Sequence, residues 1–220
     1  MQLFQLDRVG ASIASFDLVY LPELRRHGSV APSVEDANRG ADVSGGSVLE
    51  PVPGLARDVA VYDFKSLYPS LIRTFNLDPV AHARADGNSL VAPNGARFAR
   101  TGGILPEIVE SLSAERDSAR ERKDHHADQA IKIMMNSMFG IFAAPACRFF
   151  SPELANAITR FGQQTLAWTC EAFAERGVKV LYGDTDSVFV QLPESGDEAS
   201  MEKNAEALRA EVAREIAGRI

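Results

Sequence analysis

Two strand-length apolar runs, residues 178–182 and 187–192, are separated only by Gly183-Asp184-Thr185-Asp186. So short a gap has no room for a crossover helix, and the two runs must pair as an antiparallel hairpin. Gly183 lets the backbone bend sharply there. The link carries aspartates at i and i+2, held up by an apolar strand on each side. Carboxylates in such a place suit a hard divalent cation such as Mg²⁺, which keeps positions open for phosphate oxygens. An ordinary polar turn has the same look, so the hairpin alone does not decide the chemistry.

A second strand ends in the same way. Val59-Ala60-Val61-Tyr62 is a short apolar run that stops at Asp63. Two strands ending in aspartates can be neighbours in one sheet, and their carboxylates can then share a metal pair. Two ions about 4 Å apart suit in-line displacement at phosphorus. Taken alone, Asp63 also reads as a carboxylate meeting backbone amides at a helix start. Ser66 could cap the helix that follows.

Helical spacing organises much of the remainder. Residues 104–124 read as one helix, with Pro106 in its first turn and Ile108 and Leu112 on its apolar stripe. Residues 127–142 read as a second, with Ile131, Met134, Met135 and Met138 inward and a polar break at His125-His126. Helices joined by so short a break should lie antiparallel. A third runs from about 151 to 176 and closes at Gly177. Residues 198–220 read as a polar helix. Residues 78–103 read as loop with a short hairpin. Residues 1–55 form an irregular lead segment, rich in Gly, Ser, Pro, Asn and Asp from 28 to 53, although 15–27 admits a helix.

On the helices, Lys132, Asn136 and Phe139 share one face, as do Arg116, Arg120 and Lys123. If the helices are antiparallel, Lys132 can converge with Arg116 and Arg120, a cation cluster suited to a triphosphate. Asp117, Glu121 and Asp124 run beside the arginines, so a solvated face with internal ion pairs fits equally well.

Composition bounds these readings. The chain has 220 residues, 45% hydrophobic and 24% charged, as in an ordinary globular protein. No apolar run approaches the ~20 residues that cross a bilayer, and no secretory signal is visible. Cys147 and Cys170 lie far apart and outside metal spacing, which predicts reduced, buried thiols in a cytosolic protein. The net charge of −7 and pI near 5.2 count against nucleic-acid binding unless the charge is uneven or basic surface lies outside this chain. No phosphate-binding glycine–lysine loop, His/Cys metal cluster or nucleophile motif occurs.

Three segments resemble the motifs of family B DNA polymerases. They are Asp63-Phe64-Lys65-Ser66-Leu67-Tyr68-Pro69-Ser70 (motif A), Lys132-Ile133-Met134-Met135-Asn136-Ser137-Met138-Phe139-Gly140 (motif B) and Tyr182-Gly183-Asp184-Thr185-Asp186-Ser187 (motif C). Their order and separations match the family too. Arg73-Thr74-Phe75 before Asp78-Pro79, and Ala146-Cys147-Arg148-Phe149-Phe150, look most like the bacterial DNA polymerase II branch. The resemblance covers residues 45–192 well and the ends loosely.

The resemblance implies an α+β fold: a polymerase palm, mainly antiparallel sheet with packed helices, and a helical-hairpin fingers insertion. Residues 56–103 and 146–220 would be palm and 104–145 fingers. Asp63 and Asp186 would hold two Mg²⁺ ions, with the Phe64 carbonyl completing the shell and Asp184 taking a weaker part. Arg116, Arg120 and Lys132 would hold the incoming deoxynucleoside triphosphate, helped by the amides of Ser66 and Leu67. Tyr68 would pack under the sugar, and Asn136 would shape the nucleotide pocket. The partners would be primer-template DNA and deoxynucleoside triphosphates in a bacterial cytoplasm, with no membrane. Any sliding clamp would be met through regions outside this chain.

Two departures stand out. Phe139 stands where the family usually has tyrosine. The exonuclease domain and thumb of the family are not recognisable here, so a fragment is expected. A non-catalytic palm-fold nucleic-acid-binding module, an inactive fragment and a template-independent palm enzyme such as a nucleotide cyclase remain as other readings.

Overall fold

A computed structural model describes residues 12–34, 42–194 and 197–220. In chain order the elements are α1 (Ser12–Arg26), β1 (Val59–Asp63), α2 (Leu67–Phe75), α3 (Pro79–Ala83), β2 (Leu90–Val91), β3 (Arg97–Phe98), α4 (Ile104–Glu121), α5 (His125–Phe142), α6 (Pro152–Glu175), β4 (Lys179–Asp184), β5 (Ser187–Gln191) and α7 (Glu198–Arg219). The fold is mixed helix and sheet. It divides into two compact units, one of Met1–Ser44 with Tyr68–Ile158, the other of Gly45–Leu67 with Thr159–Ile220.

The second unit holds a three-stranded antiparallel sheet in the order β1-β5-β4. Central β5 alternates, with Val188 and Val190 buried and the residues between them half-buried. That period-two pattern turns one face of the sheet to the core. There Val188 and Val190 join Leu166, Phe173, Val178, Val212 and Ile216. Tyr62 stacks on Phe173 with ring centroids 5.0 Å apart, and its hydroxyl donates to the Ala205 carbonyl of α7 at 2.9 Å. A cluster of nine buried hydrophobic residues from the sheet and its helices covers that face, while the opposite face carries Val59, Val61 and Phe189 and ends at Asp63 and Ser187.

The four-residue link predicted between the hairpin strands is shorter in fact. β4 continues through Gly183 and Asp184, and only Thr185 and Asp186 turn. Thr185 takes the left-handed conformation at φ 51°. Gly183 is therefore not the bend. A Cβ there would lie 2.8 Å from Leu49 Cδ1, so the glycine serves close approach of a neighbouring segment. That segment comes from the predicted irregular region. Leu49 N–H donates to the Gly183 carbonyl at 2.8 Å and Val52 N–H to that of Leu181 at 2.9 Å.

The first unit is mainly helical. α1 buries Phe16, Tyr20 and Leu24, one face at i, i+4 and i+8. Phe16 meets Phe142 edge-on at 5.6 Å. Residues 1–11 and 35–41 of the predicted lead segment lie outside the described residues. The hub of this unit is Asp78, fully buried. It caps α3 by accepting from Val80 and Ala81 N–H, and it also accepts from Leu105 N–H at 2.9 Å and Tyr20 hydroxyl at 2.8 Å. α3 was not expected within the predicted loop. The β2–β3 hairpin was.

α4 and α5 fold back on each other, as expected. The break between them is not at His125-His126, which open α5. It lies just before, where Lys123 adopts φ 58° and Asp124 caps α5 by accepting from Ala127 N–H. A short acidic side chain satisfies free helix-start amides better than imidazole does. Cys147 and Cys170 are free, the first buried and the second half-buried, and burial pushes both thiols up. Among the described residues no helix is long and apolar enough to cross a membrane.

Candidate active site

The second unit positions the carboxylates by strand register. Asp63, the last residue of β1, pairs with Ser187 of β5, and Asp184, the last of β4, pairs with the same Ser187 from the other side. Residues directly opposite share a face. Asp63, Ser187 and Asp184 thus form a row across the sheet, on the face away from the core, and both aspartates are exposed. Asp186 stands in the turn beside them. It is tied to motif A through its carbonyl, which accepts from Phe64 N–H at 2.8 Å. Ser47 fixes the turn from outside by accepting from Thr185 N–H at 2.8 Å. Thr185 Oγ1 donates to Asp184 Oδ1 at 3.0 Å, and Ser187 Oγ to the Asp184 carbonyl.

Burial raises the Asp186 carboxyl above its ordinary range. The negative charge of Asp63 adds to this, and Asp184 adds less. A half-buried carboxylate pressed by two like charges favours a cation or a proton beside it. Among the described residues, no three His, Cys, Asp or Glu side chains gather closely enough to hold a metal ion by themselves. Mg²⁺ needs no such cage, because one or two carboxylates with water and substrate phosphates suffice. The donor set fits a hard divalent cation on those terms. A cavity of about 450 Å³ runs beside β1, lined by Val61, Phe173, Val212 and Ile216 among others. Its walls are mostly apolar, and it meets the carboxylate row only at Asp63, with Lys65 and Arg209 also on its lining.

Ser66 sits at φ 57°, not in the extended backbone of a helix cap. It turns the chain sharply from Asp63 into α2, which begins at Leu67.

The first unit carries the cations. Arg116 and Arg120, four apart on α4, face α5. Both donate Nε–H to one oxygen, Oδ1 of Asp128, at 2.7 and 3.1 Å. Arg116 is buried at 8% exposure. Hydrogen bonding from Arg116 holds the Asp128 carboxyl below the usual range, with Arg120 contributing. Of the predicted acidic stripe, Asp117 reaches Arg120 only at 3.5 Å, and Asp124 is a cap. Asp128 was not expected, although its position four residues before Lys132 could have marked it. Lys132 and Asn136 follow it along α5, both exposed. Tyr68 and Phe139 meet with ring centroids 4.7 Å apart, tilted by 39°.

Residues 9–218 match the family described as DNA polymerase family B. DNA polymerase II of Escherichia coli (strain K12) is 40% identical over 208 residues, which span 92% of this chain and 26% of that protein. A DNA polymerase of Desulfurococcus sp. (strain Tok) is 34% identical over 80% of this chain and 25% of its own length. Among solved structures, the family B DNA polymerase from the archaeon Pyrobaculum calidifontis superposes with a TM-score of 0.65 at 30% identity, over 92% of this chain and 29% of that one. The chain thus spans about a quarter of the length of these relatives.

Proposed function

The chain belongs to DNA polymerase family B, and on that premise we propose that it is the nucleotidyl-transfer core of a DNA-directed DNA polymerase. The observation that carries this reading is the carboxylate row. β1 and β4 end side by side on β5, with Asp186 pressed by Asp63 and Asp184. Residues 56–103 and 146–220 would be the palm and 104–145 the fingers, with 1–55 leading in.

Asp63 and Asp186, with the Phe64 carbonyl, would hold two Mg²⁺ ions. Bound there, such ions make the primer 3′-hydroxyl a better nucleophile and stabilise the leaving pyrophosphate. The chain's own residues do the remainder. Asp184 acts through its charge on Asp186. Arg116, Arg120 and Lys132 bind the triphosphate, and the Ser66 and Leu67 amides add donors. Tyr68, resting on Phe139, packs under the sugar and rejects a 2′-hydroxyl by its bulk. Asn136 shapes the base pocket. The 3′-oxygen forms a bond to the α-phosphorus as the bridging bond to the β-phosphate breaks, on a primer-template DNA. A non-catalytic palm would be expected to have lost one of these carboxylates, and this chain retains Asp63, Asp184 and Asp186.

Calorimetry tests the reading. Mg²⁺ and a deoxynucleoside triphosphate are titrated into the chain, with and without primer-template, beside an Asp63→Ala/Asp186→Ala double variant. The expected result is triphosphate binding that needs Mg²⁺ and disappears in the double variant. Binding that is the same in both proteins, or indifferent to Mg²⁺, would remove the reading.

A further inference from the structure

Arg116 and Arg120 repel each other as like charges one helical turn apart. Asp128 relieves this in an unusual way. Arginine–carboxylate pairs are frequently bidentate, with two parallel N–H bonds to the two oxygens. Here a single oxygen, Oδ1, accepts Nε–H from both arginines, at 2.7 and 3.1 Å. Each guanidinium has five N–H donors, one on Nε and four on the Nη pair. The Asp128 contacts use only the first. Arg120 makes one long further contact, Nη1 to Asp117 at 3.5 Å. Both planes are thereby pinned along one edge, with their Nη ends uncommitted to Asp128. The Arg116 side chain is only 10% exposed, so its position is fixed by packing as well as by Asp128.

We propose that Asp128 is a positioning residue for the triphosphate, clamping Arg116 and Arg120 by their Nε–H edges so that their Nη ends are set for phosphate oxygens. The proposal rests on the reading above, in which the arginines meet the triphosphate. It adds the anion that orients them. α5 supplies the clamp in its first turn and Lys132 one turn further on, so a single helix carries both the orienting carboxylate and a third cation.

The test uses the full chain with Mg²⁺. Inorganic pyrophosphate and a deoxynucleoside triphosphate are titrated into the parent chain, Asp128→Asn and Asp128→Glu, while NMR follows the arginine Nε–Hε signals. In the parent, two such signals should be protected from exchange and stay so as pyrophosphate binds. Asp128→Asn should lose that protection and bind both ligands about tenfold more weakly, the loss of roughly one charge-assisted hydrogen bond. Asp128→Glu, which keeps the carboxylate, should recover part of both. Equal or tighter binding by Asp128→Asn would overturn the proposal, because Asp128 would then be a bystander or a competitor of phosphate. If Asp128→Asn does not fold, the glutamate variant decides: affinity lost while its Nε–Hε signals stay protected also overturns it. A parent chain that binds neither ligand would sink the underlying reading and the clamp with it, an outcome distinct from the other two.

Discussion

Asp186 and Asp128 are both half-buried aspartates beside the residues on which the proposed chemistry depends, yet they titrate in opposite directions. Asp186 is raised, first by burial and then by the negative charges of Asp63 and Asp184. Asp128 is lowered, first by the hydrogen bond from Arg116 and then by further contacts with the two arginines. The carboxylate hairpin gathers like charges, and the arginine hairpin gathers opposite ones. The first arrangement is costly until something positive arrives from outside. The second is already satisfied and loses little by waiting. A site for a foreign cation therefore shows as electrostatic strain, whereas a site for a foreign anion can hide inside an internal ion pair.

A third aspartate sharpens this contrast and gives the largest expected effect. Asp78 is fully buried, like neither of the others, and it is satisfied by neutral donors: two α3 amides, Leu105 N–H and the Tyr20 hydroxyl. Burial, with the Asp78 charge added, pushes the Tyr20 phenol well above its usual range, so it remains a donor. Asp78→Ala strands these four donors and should cost about 3–5 kcal/mol, read as the unfolding free energy in urea. Tyr20→Phe should cost about 1 kcal/mol. An Asp78→Ala loss below the Tyr20→Phe value would mean that backbone amides do not hold this carboxylate.

Next in size is the same substitution at the two contrasting sites, in chelator. Asp186 titrates above its unfolded value, so its favourable contribution is complete below the unfolded pKa and is lost as pH rises through the folded one. Asp186→Asn should therefore raise the melting temperature at pH 7. The gap should close as the pH falls and Asp186 itself takes up a proton. Asp128 titrates below its unfolded value, so its contribution is complete above the unfolded pKa and lost as pH falls through the folded one. Asp128→Asn should lower the melting temperature at pH 7, and that gap should persist until the pH passes below the ordinary carboxylate range. Shifts of the same sign at pH 7 would break the comparison.

The contrast also explains what could be read from the sequence. β1, β4, β5 and the helices α4, α5, α6 and α7 follow from periodicity and short links, each within a few residues of its place. Asp63, Asp184 and Asp186 were legible because strand ends placed them, and neighbours in sequence fix strand ends. Asp128 could be marked only by its place one turn before Lys132; that it meets Arg116 and Arg120 depends on how α5 folds back on α4. The Asp78 hub joins residues 58 and 27 positions apart, a separation to which no local pattern refers. The segment beside β4 was hidden by its Gly and Pro content, which marks turns but does not say what they lie against. Gly183 shows the same limit. Its presence was plain, but its reason, the nearness of Leu49, was a tertiary fact.

The smallest effect concerns a neutral contact that should be indifferent to both kinds of charge. Tyr68 and Phe139 touch ring to ring at 4.7 Å, a pair worth about 0.5–1.5 kcal/mol beyond simple burial. Phe139→Tyr keeps that ring and adds a hydroxyl to a half-buried position on α5. If Phe139 serves by supporting Tyr68, triphosphate affinity should change by less than about threefold, under 0.7 kcal/mol. Phe139→Ala removes the ring and should weaken discrimination against a ribonucleoside triphosphate more than it weakens binding, because Tyr68 would lose its rest. Calorimetry with matched deoxy- and ribonucleoside triphosphates reads both quantities. A tenfold change with Phe139→Tyr would mean that a polar group is felt there, and the position would then belong with the charged contacts and not with the packing beneath them.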